Sequence, residues 1–137
     1  MTSELISSMH GQTDDRRWRP ILADLAFWSF AGAIVATLSG RLANWWSAPR
    51  AALLAGGLAF LVGGVGLLFG LNRIRPTPRQ LVWAFGLFNL IFAPIVWATA
   101  LDGWLPLSEP GNWALAVAGG IALVLGGWQL NTLRRPE

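Results

Sequence analysis

The chain has 137 residues, 54% apolar and 12% charged, with a formal net charge of +3. A water-soluble domain carries about 25% charged residues, so the composition excludes an ordinary soluble fold and suits lipid as the solvent. Every basic residue is Arg, and these fall in short clusters between apolar runs, which argues against nucleic acid as a partner, since that needs a basic face.

Residues 1–17 are polar and show no apolar period, so they are expected to form a flexible cytoplasmic tail. Four apolar spans follow and make up the domain 18–137: Trp18–Gly40, Arg50–Leu71, Arg79–Leu101 and Trp113–Leu133. Each reaches the roughly 20 residues a helix needs to cross about 30 Å of hydrocarbon. Helices satisfy their own backbone groups there and open strands do not. Connections this short make sequential helices antiparallel neighbours. The predicted fold is all-α, a four-transmembrane-helix up-down bundle in a lipid bilayer.

Arginine sets the expected orientation. Arg16, Arg17 and Arg19 precede the first span, Arg73, Arg75 and Arg79 sit around the middle connection, and Arg134 and Arg135 follow the last span. Only Arg41 and Arg50 flank the first outer loop, and the other outer loop holds Asp102 and Glu109 with no basic residue. The positive-inside rule then puts both termini in the cytoplasm. Trp18, Trp45, Trp46, Trp104 and Trp113 fall at span ends, where an indole bridges headgroup and acyl chain. Trp28, Trp83, Trp97 and Trp128 lie deeper, and each needs a packing partner or a ligand.

The second span carries Ala52, Gly56, Ala59, Gly63, Gly66 and Gly70, alternately four and three residues apart. The fourth repeats the pattern as Gly119, Ala122 and Gly126, with Gln129 matching Gly66 at an offset of 63. Small residues at this spacing let helices approach closely in lipid. The stripes are expected either to hold the bundle together or to dock a partner, another copy of the chain or a different membrane protein. The match also suggests a duplicated two-helix hairpin, although apolar helices rich in Gly and Ala match by chance as well.

Polar residues at membrane depth are the candidate site. Asp24 lies about one turn inside the first span, where it is expected to reach water or pair with Arg75 or Arg79. Asn89 is near the middle of the third span and cannot ionise, and Pro94, five residues on, leaves the Leu90 carbonyl without its usual donor. Gln129 lies at a depth similar to that of Asp24, within reach of a hydrogen bond to it. Intramembrane polar groups are functional candidates by default.

Catalysis has little to work with. The sole His, His10, is in the polar N-terminal segment, and the chain has neither Cys nor Lys. Thiol chemistry, iron–sulfur clusters and Schiff bases are excluded, and no cofactor or metal is implied. The leading functional expectation is a non-enzymatic membrane protein acting by helix association, as a homo-oligomer or accessory subunit. The alternative is a small channel, transporter or carrier of a lipophilic molecule built around Asn89, Pro94, Asp24 and Gln129.

The segment Trp104-Leu105-Pro106-Leu107-Ser108 and the C-terminal Trp128-Gln129-Leu130 through Leu133-Arg134-Arg135 resemble small four-helix bacterial integral membrane proteins of unknown function. The resemblance covers mainly the last third of the chain. It implies the bacterial inner (cytoplasmic) membrane and no activity.

Overall fold

Long runs of Leu, Val, Ala and Phe without charge can bury no polar backbone except as helix, and helix is what they form. The computed structural model describes residues 2–74 and 77–134. It contains α1 (Thr2–Thr37), α2 (Ser39–Trp46), α3 (Arg50–Ile74), α4 (Pro78–Asp102) and α5 (Glu109–Asn131), with no strand among the described residues. Four helices are long and apolar enough to cross a membrane: Arg16–Thr37 within α1, Arg50–Leu71 within α3, Pro78–Asp102 and Glu109–Asn131. The chain is therefore a multi-pass membrane protein. Its surface fits that environment, since Phe30, Val62, Phe69 and Val124 point outward from the span helices and are mostly exposed.

Two local features differ from the sequence reading. The polar N-terminal segment, expected as a flexible tail, continues α1 as helix from Thr2. The first connection is not a plain loop but holds α2, whose Ser39 and Leu42 turn inward while Arg41 and Trp45 face out. Ser47 ends α2 in the left-handed region at φ 53°, an uncommon conformation for a residue with a Cβ.

The helices pair as α1 with α3 and α4 with α5, and the pairs meet where α1 crosses α4 and α5. Among the described residues, sequential α3 and α4 make no close backbone approach, contrary to the neighbour rule for short connections. Instead α1 joins the two pairs, and α3 and α4 flank an open cleft. At the end near the α3–α4 connection, Ile21, Leu25 and Val82 form a buried apolar cluster with Trp18, Leu68, Leu71, Phe85 and Leu133 around it.

Small residues make both seams, but only two of the six expected glycines, Gly119 and Gly126, take part. On α3 the close contacts fall at Gly57 and Gly64. A Cβ on Gly57 would lie 2.6 Å from the Gly32 carbonyl oxygen, and one on Gly64 would collide with the Ser29 hydroxyl. Gly56, Gly63, Gly66 and Gly70 would meet nothing within 4 Å, so they are not the packing face within this chain. In α5 the expected glycines do pack: Gly119 lies under the Trp97 indole, and Gly126 lies against Asn89 and the Gly86 carbonyl. Their neighbours Gly120 and Gly127 are open. Each helix thus uses one member of its Gly-Gly doublets, and the two helices use opposite members. One residue of register is about 100° around a helix, so the sequence match at offset 63 does not extend to equivalent packing.

At the other end, Ser108 ties the pairs together. Its backbone N–H donates to the Trp46 carbonyl at 2.9 Å and its hydroxyl donates to the Trp45 carbonyl at 2.6 Å. The same hydroxyl oxygen accepts from the Gly111 N–H as the N-cap of α5.

Candidate functional site: a buried polar triangle beside a lateral cavity

Three helices deliver one polar side chain each to a single point. Asp24 on α1, Asn89 on α4 and Gln129 on α5 are all buried. Asn89 Nδ2 donates to Asp24 Oδ2 at 2.7 Å and to Gln129 Oε1 at 3.0 Å. Gln129 Nε2 donates to the same Asp24 Oδ2 at 2.7 Å and to the Pro20 carbonyl at 3.3 Å. Each amide nitrogen therefore spends both of its N–H groups. The approach of α5 that makes this possible occurs at Gly126, where any side chain would press on the Asn89 Cβ at 3.0 Å.

The Asp24–Gln129 bond matches the sequence expectation, and Asn89 joins it. Of the arginine partners expected for Asp24, Arg79 is exposed and Arg75 lies outside the described residues. Among the described residues the carboxylate is met by two neutral amides and the Trp28 indole. Hydrogen bonds to a charged group contribute about 1.5–3 kcal/mol each, more than the roughly 0.6 kcal/mol average between membrane helices.

Pro94 stands apart from this site. It is exposed, and α4 runs unbroken past it. Five residues along a helix is about 500° of rotation, or roughly 140° away from Asn89, so the two cannot share a pocket. The pocket expected from Asn89 and Pro94 exists only on the Asn89 side.

There a cavity of about 190 Å³ opens between α1, α3 and α4. Asp24 and Asn89 form its polar floor, with Trp28, Phe60, Phe88 and Phe92 among its walls and Ala59, Gly63 and Gly64 along α3. Gln129 lies behind the floor and does not line it. Trp28, one turn beyond Asp24, is within hydrogen-bonding reach of the carboxylate. Its ring stacks on Phe60 at 5.5 Å and meets Phe92 edge-on at 6.1 Å. Phe88 stacks on Phe92 at 5.8 Å. No basic residue lines the cavity among the described residues.

The aromatic walls were not singled out in the sequence. Phe85, Phe88 and Phe92 recur at helical spacing on the Asn89 face of α4, and that periodicity was the available signal. Among the deeper tryptophans, Trp28 faces the cavity and Trp97 packs, donating to the Ala116 carbonyl at 2.8 Å. The hydroxyls of Thr37 and Thr99 donate back to the carbonyls of Ala33 and Ile95, so neither is poised as a nucleophile.

Comparison with known protein families, with characterised proteins and with solved structures gives no match.

Proposed function

We propose that this chain is a non-enzymatic membrane protein that takes a lipophilic molecule from the bilayer into the cleft between α3 and α4, as a carrier or transporter. The observation that carries this reading is the cavity of about 190 Å³ with a buried carboxylate and amide as its floor and aromatic rings as its walls. An apolar cavity of about 150 Å³ suffices to bind benzene, so there is room for a ring with a short polar arm. Ligand sites generally combine apolar walls with a few convergent polar groups. Native mass spectrometry of protein released from lipid nanodiscs tests it. Wild type should retain a small adduct that Gly63→Leu loses, because the new side chain fills the cavity from α3. Two equally bare proteins would reject the reading.

A second reading is helix association through the open face of α3, the one that also carries Gly63. A Cβ added at Gly56, Gly66 or Gly70 would meet nothing within 4 Å, and only 11% of the apolar window of this span is buried. Small residues on a lipid-facing helix support close approach by a second copy of the chain or by another membrane protein. Gly56→Leu, which leaves the cavity untouched, should lower the oligomer mass measured by light scattering in detergent. An unchanged mass would remove this reading alone. Both readings place both termini inside, which the arginine distribution supports, and residence in a bacterial cytoplasmic membrane, which rests on the resemblance alone.

A further inference from the structure

The hydrogen-bond inventory of the polar triangle specifies the chemistry of the molecule that the cleft would hold. Asn89 and Gln129 spend their N–H groups on Asp24 Oδ2, on Gln129 Oε1 and on the Pro20 carbonyl. The second carboxylate oxygen of Asp24 and the amide oxygen of Asn89 take none of these amide bonds; the Trp28 indole N–H adds one donor to the carboxylate, whose two oxygens have about four lone-pair sites, and Asp24 and Asn89 both line the cavity. The floor therefore offers acceptors and a negative charge, and among the described residues the lining holds no basic residue to answer them. Asp24 sits about 12 Å of helix rise beyond Arg16, and a carboxylate at membrane depth is costly unless paired. The rings of Trp28, Phe60, Phe88 and Phe92 have electron-rich faces, which attract cations.

We propose that the cleft selects a lipophilic primary amine in its protonated form, its ammonium held by Asp24 Oδ1 and Asn89 Oδ1 and its apolar body among the aromatic walls. This rests on the lipophilic-ligand reading above and adds the substrate class. An ammonium carries three donors and no acceptor, which is the complement of the floor. An aminophospholipid headgroup fits poorly, because its phosphate would enter a lining with no cation among the described residues.

The test compares three probes of one shape: phenethylammonium, phenethyl alcohol and phenylacetate. Radiolabelled probes are bound to the protein in phosphatidylcholine nanodiscs, and binding to empty nanodiscs is subtracted. Wild type should hold the ammonium about tenfold or more tighter than the alcohol, with the carboxylate weakest, as expected for a desolvated charge pair. Asp24→Asn should abolish that preference, and Gly63→Leu should abolish binding of both ammonium and alcohol. Equal binding of ammonium and alcohol by wild type would overturn the amine assignment while leaving the cleft reading in place. Binding of none of the probes would overturn both. The wild-type comparison decides the matter even if Asp24→Asn fails to assemble. Adding phosphatidylethanolamine to the nanodiscs should leave ammonium affinity unchanged, and a tenfold fall would assign the site to the lipid headgroup instead.

Discussion

Asn89 donates to Oδ2 of Asp24 at 2.7 Å across 65 positions of sequence, and this bond is where the two helix pairs become one molecule. Removing Asn89 leaves a buried carboxylate with one amide partner instead of two. Asn89→Leu should therefore destabilise the protein by about 1.5–3 kcal/mol, the range for hydrogen bonds to charged groups. Thermal denaturation in lipid nanodiscs measures it. In the Asp24→Asn background the same change should cost clearly less, because residues in one network are non-additive. Full additivity would mean that the two side chains act independently.

The glycine doublets separate packing from lipid exposure within single steps of sequence. Gly57→Leu and Gly64→Leu should each lower stability by about 1–3 kcal/mol or more, since the new side chain meets α1 directly. Gly56→Leu should leave the melting temperature of the isolated chain unchanged. A Gly56→Leu variant as damaged as Gly57→Leu would show that the helix is rotated from the orientation described.

Ser108 joins α2 to the start of α5, and its hydroxyl both donates to the Trp45 carbonyl and caps α5. Ser108→Ala should cost about 1 kcal/mol, as N-cap replacements do. Hydrogen exchange should quicken at Gly111 and Asn112 with little change at Asn89. Uniform acceleration along α5 would contradict a local cap.

Topology is open to single-cysteine labelling because the chain has no native Cys. A membrane-impermeant maleimide should reach Asp102→Cys from outside intact cells and should reach Thr77→Cys only after lysis. The reverse pattern would invert the orientation drawn from the arginines.

The spans were legible in the sequence because length and hydropathy suffice to define them. The second span, Arg50–Leu71, agrees to the residue, and the third differs by one residue at each end. Orientation around each helix axis was less legible. A heptad stripe through Gly56 and Gly63 and one through Gly57 and Gly64 read equally well, and only the neighbouring helix decides between them. Asp24 and Gln129 were legible as a pair by depth. That Asn89 completes them, and that Pro94 turns away, follows from how the pairs dock, and Pro94 could have been excluded by helical rotation alone. The α3–α4 gap had no local signal, since chain connectivity favoured contact there.

Gln129 follows its partner Asp24 by 105 residues. At about 5–20 residues per second, a ribosome needs roughly 5–20 s between delivering the carboxylate and delivering the amide that meets it. Asn89 comes sooner, 65 residues after Asp24, so α1 and α3 can settle together along Gly57 and Gly64 before Asp24 has either amide partner, and from Asn89 to Gln129 it has one. The first hairpin is thus born without either amide, α4 brings the first, and only α5 completes the set. A chain truncated before α5 would keep the carboxylate one amide short for its whole lifetime, and membrane quality control would have a physical mark by which to remove it.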